Sequence, residues 1–100
     1  MNKTDQTTSQ LMQEREAHQR KLIIRLRRVE GQLRGIQAMM EKGDSCESIA
    51  QQLSAARRAL DKAFHEMVAC NLRMEIAASQ APEQVLAATE HMTRLLSKYG

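Results

Sequence analysis

The chain is predicted to be all-α, with three helices in each protomer, and two observations support this prediction. Apolar residues recur at alternating intervals of three and four through most of the chain, which is the spacing that packs α-helices side by side. Good helix formers such as Ala, Leu, Gln and Glu dominate, aromatic residues make up only 2% of the 100 residues, and Pro82 is the single proline. No alternating strand pattern occurs. A chain of this length makes one small domain and often needs further copies to bury its core.

The first helix is predicted from about Glu14 to Glu41, after a flexible tail over residues 1–13 that is rich in Thr, Ser, Gln and Asn. Gly43 is expected just past its end, where glycine is favoured. Residues 14–100 then form the single helical domain. The apolar seam of this helix consists of Leu22, Leu26, Val29, Leu33, Ile36 and Met40.

The second helix is predicted to run to about Ser79, with Asp44 and Glu47 as a variant capping box at its start. Two cysteines, Cys46 and Cys70, lie in its seam. They are 24 residues apart, about 36 Å along one helix, so any contact between them must join two chains. The seam consists of Cys46, Ile49, Leu53, Ala56, Leu60, Ala63, Met67, Cys70 and Met74.

A third, shorter helix is expected from Pro82, because proline is favoured in the first turn of a helix. The protomer is therefore predicted to be a long antiparallel hairpin plus a short C-terminal helix. The two long seams exceed what one chain can cover, so we expect two chains to pair into a four-helix-bundle dimer, with a dimer of dimers as the higher assembly.

Positive charge is concentrated in the first helix. Residues 15–34 hold seven basic residues and two acidic ones, although the whole chain has a net charge of only +3. Most charge runs are solvated faces, but this one is more lopsided than solubility requires, and basic residues bind nucleic-acid phosphates. The chain lacks a zinc finger and an aromatic stacking platform, which favours double-stranded DNA over single strands. The predicted DNA contacts are Arg20, Lys21, Arg25, Arg27, Arg28 and Arg34, with His65 of the second helix.

The polar N-terminus does not resemble a signal peptide, and no apolar run is long enough to span a membrane, so we expect a cytoplasmic protein without a membrane partner. In that compartment two cysteines indicate buried thiols, a metal site or a redox site. Cys46 lies in the first turn of its helix, where the helix dipole favours the reactive thiolate. Cys70 also fits the role of a small core residue. Asn71 and Glu75 are as well placed as Cys70 to face Cys46 of a second chain.

No catalytic motif occurs, so the chain is not expected to be an enzyme. A helical protein-interaction module without DNA binding is the alternative of a different class. A gel shift on the promoter region upstream of the protein's own gene would distinguish the two.

The stretch from Arg25 to Ile36, which reads RLRRVEGQLRGI, closely resembles the first-helix signature of the copper-sensitive operon repressor family. The family also includes nickel/cobalt, formaldehyde and persulfide sensors. The resemblance continues through Cys46 and covers about residues 20–78. It implies an all-α dimer that assembles into a tetramer, binds operator DNA through basic residues of its first two helices, and releases DNA when an effector binds at a subunit interface.

The resemblance places the family's sensory cysteine on Cys46, but the remaining positions depart from the known sensors. Copper sensors carry His and Cys where this chain has Asn71 and Glu75, so their Cys-His-Cys site for Cu(I) cannot form here. The nickel/cobalt pattern also fails, and Asn2 replaces the proline of formaldehyde sensors. Persulfide sensors share the Asn at Asn71 but carry a second Cys at the position of Glu75.

These observations lead to the expectation of a repressor that senses a persulfide or another thiol oxidant through Cys46, with Cys70 of the second chain as the resolving thiol. No resident cofactor is required. The alternative is a repressor of the same family that responds to Cu(I) or another soft metal. Its ligands would come from Cys46, Cys70, His65 and Glu75.

Overall fold

The computed structural model describes residues 3–100, with side chains from residue 8 onward. Within this range it contains three helices, α1 (Lys3–Lys42), α2 (Cys46–Ala78) and α3 (Pro82–Tyr99). α1 and α2 form a long antiparallel hairpin, and α3 packs against α2, which therefore lies in the middle. The predicted all-α protomer with a hairpin and a shorter third helix is confirmed.

The first helix is longer than predicted. α1 begins at Lys3 rather than at Glu14, so the part of the expected tail that the structure describes is helical, and residues 1 and 2 lie outside the described range. No proline or glycine interrupts residues 3–13, and Ser, Thr and Gln each cost only a few tenths of a kcal/mol in a helix, roughly, relative to Ala. Just after this segment, an exposed ion pair of 3.0 Å joins Glu14 to Arg73 of α2.

The turn between α1 and α2 is capped one residue later than predicted. Ser45, not Asp44, is the N-cap of α2, and its Oγ accepts a hydrogen bond of 3.2 Å from the backbone N–H of Ser48. Asp44 instead lies 3.5 Å from the ammonium group of Lys42. Gly43 ends α1 as expected, with a φ of +82° that glycine adopts without strain.

The protomer is one helix thick. Its extents are 61 × 31 × 12 Å, and the shortest equals about the diameter of a single helix with its side chains. Its accessible surface of 7805 Å² exceeds by about 2,000 Å² the value expected for a compact monomer of this mass. Among the described residues, those that are buried form a narrow line. They are Leu22, Val29, Ile36, Ala56, Ala63, Val68 and Ala88.

Each predicted seam divides into a buried half and an exposed half. The buried half holds α1 and α2 together, whereas the exposed half forms an apolar surface on both helices, and an open groove of 440 Å³ runs between them. The six exposed residues keep 38–52% of their surface accessible. They are Leu26, Leu33 and Met40 of α1 and Leu53, Leu60 and Met67 of α2, and we call them the apolar stripe. Among the described residues, no helix is long and apolar enough to cross a membrane.

Candidate DNA-binding and effector site

The basic residues of α1 lie on the side of the helix that faces away from α2. Arg20, Arg27 and Arg34 are spaced by seven residues. Each lies two positions before a residue that is buried against α2, and two positions correspond to about 200° around the helix, so each arginine lies on the opposite side. Lys21 and Arg28 form a second line beside them. All five residues are exposed, and we call them the basic face. The distance from Arg20 to Arg34 is about 21 Å along the helix, so the face can follow several phosphates.

Arg25 differs from the other predicted DNA contacts because it is half-buried against α2. Its Nη1 atom lies 2.5 Å from Oε2 of Glu66, and the side chains are 31% and 32% exposed. The two groups form an ion pair. The Arg25 guanidinium lowers the pKa of Glu66 below its ordinary value of 4.5, against the opposing effect of partial burial. Arg25 therefore contributes to the hairpin contact as well as to the local positive charge.

His65, the remaining predicted DNA contact, is exposed on α2. Its Nδ1–H donates a hydrogen bond of 2.7 Å to the carbonyl of Asp61 in the preceding turn, and its ring lies edge-on to Phe64. His65 was also a predicted metal ligand together with Glu75. The two residues are ten positions apart, about 15 Å along one helix, so the structure does not bring them together.

Cys46 is the first residue of α2, and its free thiol is exposed. The backbone N–H groups at the start of a helix have no partners within the helix, and their partial positive charge stabilises a thiolate. A thiolate is the form that attacks sulfur electrophiles and binds metals. The structure shows the predicted position of Cys46 at the helix start and an accessible thiol, and its reactivity stays a prediction.

Cys70 lies on the side of α2 that faces α1. It follows Ala56 and Ala63 at seven-residue intervals, and those two alanines are buried against α1. Its free thiol is half-buried, and it lines a cleft of 490 Å³ together with Ala17 and His18 of α1. It also borders a second cleft of 570 Å³ that extends toward α3. Cys70 is thus accessible, but it lies beside the apolar stripe rather than on it.

Asn71, Glu75 and His91 form a hydrogen-bonded group that joins α2 to α3. Oε1 of Glu75 accepts a hydrogen bond of 2.8 Å from Nδ1 of His91 and one of 2.9 Å from Nδ2 of Asn71. The hydrogen bond from His91 is the main reason why the pKa of Glu75 falls below its ordinary value of 4.5, and Asn71 adds to the effect. Glu75 is therefore a carboxylate at neutral pH.

His91 is the residue that sequence reasoning missed at this site. It lies 16 positions after Glu75 on another helix, so no local spacing connects the two residues. Cys46 lies near the opposite end of α2 from Glu75, and within one protomer no group of three or more His, Cys, Asp or Glu side chains among the described residues could hold a metal ion.

Comparisons with known proteins identify the family and the fold. A sequence model of the family described as "metal-sensitive transcriptional repressor" matches residues 18–98. The chain is 30% identical over 82 residues to an uncharacterized protein from the bioA 5' region of Serratia marcescens, a match that covers 81% of this chain and 90% of that protein. It also superimposes on a variant of the formaldehyde-responsive regulator FrmR from Salmonella enterica serovar Typhimurium with a TM-score of 0.69 and 27% identity, covering 84% of this chain and 96% of FrmR.

The family match spans α1 from residue 18 onward, all of α2 and most of α3, and so includes the basic face, Cys46 and the Glu75–His91 pair. The fold of the FrmR variant is the fold of this chain. Both are transcriptional regulators and not enzymes, as predicted from the absence of catalytic motifs. The chain belongs to the metal-sensitive transcriptional repressor family, the group to which the copper-sensitive operon repressors also belong.

Proposed function

We propose that this repressor binds double-stranded operator DNA through the basic face of α1 and releases it when an effector reacts at Cys46. The observation that carries the DNA-binding part is the exposure of five basic residues, in two lines, on the side of α1 opposite the hairpin contact. The proposed site of action is the cytoplasm.

Salt dependence of operator binding tests the basic face. Arg27→Ala should weaken binding to the promoter region of the protein's own gene and lower the log–log salt slope by about 0.9 for each phosphate that the side chain no longer neutralises. Arg25→Ala should do the same, but it also removes the ion pair with Glu66, so its thermal unfolding must be measured in parallel. Arg94→Ala, an exposed arginine on α3, is the matched control. Equal affinity and equal slope for Arg27→Ala and the parent would show that the face is merely solvated.

We propose that the apolar stripe is the dimer interface. Burying the excess surface of about 2,000 Å² on each of two chains would give an interface in the range of obligate homodimers. The three stripe residues of α2 are Leu53, Leu60 and Met67, spaced by seven and therefore symmetric about Leu60. Antiparallel pairing of two α2 helices about Leu60 sets Leu53 opposite Met67 of the partner subunit. Two such dimers would form the tetramer.

The effector proposed for Cys46 is a persulfide or another thiol-directed oxidant. The exposed thiol at a helix start is its support, because a thiolate there can attack the outer sulfur of a persulfide and become a persulfide itself, releasing the attacked molecule as a thiol. A thiol of the second chain can then attack the Cys46 persulfide, forming an interchain disulfide and releasing sulfide. Cys70 of the partner subunit is the proposed resolving thiol.

Mass spectrometry of the protein after polysulfide treatment, combined with DNA binding of the same sample, tests this chemistry. A sulfur adduct on Cys46, or an interchain link that includes it, should accompany loss of operator affinity. Release of DNA without any modification of Cys46 would refute the proposal.

A metal effector is the second candidate, because the family is metal-sensitive and Glu75 with His91 offers oxygen and nitrogen donors. The donor set fits Cu(I) poorly. Cu(I) prefers thiolates, yet Cys70 lies on the α1 side of α2, whereas Glu75 lies on the α3 side.

A further inference from the structure

The buried contact between α1 and α2 is interrupted toward the N-terminal part of α1. Leu22, Val29 and Ile36 repeat every seven residues, and all three are buried in the hairpin. The next position of this series toward the N-terminus is Arg15, which is exposed. Because a guanidinium group is costly to bury without a partner, the packed core of the hairpin ends at Leu22, and an open cleft of 490 Å³ lies beyond it.

Three cationic side chains line this cleft, which we call the basic cleft. Arg15 and Lys21 belong to α1, and Arg73 belongs to α2. Arg15 and Lys21 are six positions apart, about 9 Å along α1, so the positive charges are spread along the cleft. Among the described residues that line it, Glu14 is the only acidic one, and three positive charges with one negative charge leave a net charge of +2.

The contacts within the basic cleft leave donors for a ligand. Nη2 of Arg73 lies 3.0 Å from Oε2 of Glu14, but a guanidinium group has five N–H donors, and the Arg73 side chain is 72% exposed. His18 forms part of the wall, because its Nε2–H donates a hydrogen bond of 3.1 Å to the backbone carbonyl of Glu66 and so fixes the ring between the two helices. The cleft therefore combines a fixed wall with N–H groups to which an anion can bind.

The size and charge of the basic cleft define the class of ligand. Its volume of 490 Å³ lies in the range of small-molecule sites and is far larger than a single inorganic ion needs. Positive groups about 9 Å apart along the helix fit a ligand that carries at least two negative groups. The half-buried thiol of Cys70 also lines the cleft, so a bound ligand would cover this thiol.

We propose that the basic cleft binds a metabolite-sized anion with at least two negative groups, and that this ligand competes with operator DNA for Lys21. Lys21 belongs both to the basic face and to the lining of the cleft. A bound anion would neutralise its ammonium group and place negative charge near the DNA phosphates. None of the described residues that line the cleft belongs to the apolar stripe, so the site does not depend on how two chains pair. The binding site stands without the proposed function, whereas the competition with DNA rests on it.

A simpler interpretation is that Arg15 covers the open end of the hairpin with its apolar stem and that its charge binds nothing. Arg15→Leu distinguishes the two interpretations. Leucine continues the series of Leu22, Val29 and Ile36, so the variant should fold and keep or raise the melting temperature in either case. Anion binding should be lost only if the cleft is a binding site.

Alkylation of Cys70 by two reagents of different charge tests the basic cleft. In a Cys46→Ser background Cys70 is the only thiol. Iodoacetate is anionic, iodoacetamide is neutral, and both react with the same thiolate, so the ratio of their rates reports the local charge and not the reactivity of the thiol. Arg15→Leu should lower this ratio by about twofold at low ionic strength, whereas Arg94→Gln, the control on α3, should leave it unchanged. Inorganic pyrophosphate, the probe anion, should protect Cys70 from both reagents.

Calorimetric titration of the DNA-free protein with pyrophosphate measures the affinity. Arg15→Leu and Arg73→Gln should each weaken binding by about tenfold, the loss expected for one hydrogen bond to a charged group, and Arg94→Gln should not. With the ionic strength held constant, pyrophosphate should also weaken operator binding by the parent. Arg73 lies outside the basic face, so Arg73→Gln should keep the operator affinity of the parent without pyrophosphate and lose the response to it.

Equal pyrophosphate affinity of the parent, Arg15→Leu and Arg73→Gln, or binding that does not protect Cys70, would overturn the site. If Arg73→Gln lowers the operator affinity and the salt slope as Arg27→Ala is expected to do, the cleft holds a DNA phosphate, and a separate ligand is refuted. A parent that binds pyrophosphate in the cleft but has no operator affinity would refute the proposed function and the competition, and would retain the site.

Discussion

Leu60 is the position at which a substitution should weaken the proposed dimer most, because the two copies of Leu60 meet at its two-fold axis. Its side chain is 44% exposed in the protomer. Full burial of a leucine contributes about 1.5–3 kcal/mol, so covering the remaining surface contributes about 1 kcal/mol in each chain. Leu60→Ala should therefore weaken dimerisation by about 2 kcal/mol, which corresponds to about a 30-fold increase in the dissociation constant.

Sedimentation equilibrium at several protein concentrations measures this change directly. Ile24→Ala is the matched control, because Ile24 is 52% exposed on the opposite side of α1 and lies outside the apolar stripe. Leu60→Asp carries the test further, since it would place two unpaired carboxylates against each other at the axis and should prevent dimerisation altogether.

The register has its own test. In a background with both native cysteines changed to serine, Leu60→Cys should form an interchain disulfide on mild oxidation, because residues at a two-fold axis approach within the roughly 7 Å between Cα atoms that a disulfide allows. A Leu60→Ala protein that dissociates like the parent, or equal weakening by Ile24→Ala, would refute the interface. Failure of Leu60→Cys to cross-link would refute the register.

Three further outcomes are expected. Gly35→Ala should raise the free energy of unfolding by about 0.5–1 kcal/mol, as measured by urea denaturation, because a Cβ at this mid-helix position meets nothing within 4 Å; a loss of stability would show that something packs closely on that face. The ion pair with Arg25 lowers the pKa of Glu66, so its stabilising contribution is present above pH 4.5 and disappears as the pH falls through the folded-state pKa. Glu66→Gln should accordingly flatten the acid limb of the thermal stability profile, and an unchanged limb would contradict this. Cys46→Ser should remain bound to operator DNA under polysulfide, whereas Cys70→Ser should lose only the covalent dimer on a non-reducing gel; a Cys70→Ser protein that still forms the covalent dimer would identify Cys70 as a core residue.

The sequence predicted the helices well where local signals are strong. Pro82 marks the start of α3, Gly43 follows the end of α1, and the seam of α2 extends along the observed helix. The start of α1 was misplaced because Ser, Thr and Gln lower helix propensity without terminating a helix. The capping residue shifted from Asp44 to Ser45 because both are good N-caps, and only the backbone geometry of the turn decides between them.

The candidate site was only partly predictable, for a different reason. Periodicity identifies which residues of a helix share a face, and Asn71 and Glu75, four positions apart, form a hydrogen bond in the structure. Periodicity does not show that one half of the α2 seam packs against α1 while the other half is exposed. It also does not show on which of these two halves Cys70 lies. His91 depends on how α3 packs against α2, and no spacing within one helix encodes that contact.

The thickness of a single helix has a consequence for how the cell can hold this repressor. If folding is completed by dimerisation, the stability of the chain rises with its own concentration, and its melting temperature depends on how much of it is present. Chains that remain unpaired at low concentration expose the apolar groove and are open to proteolysis, whereas paired chains are protected. The dimer dissociation constant then sets the lowest chain concentration at which active repressor persists. Below that concentration most chains are unpaired and are degraded.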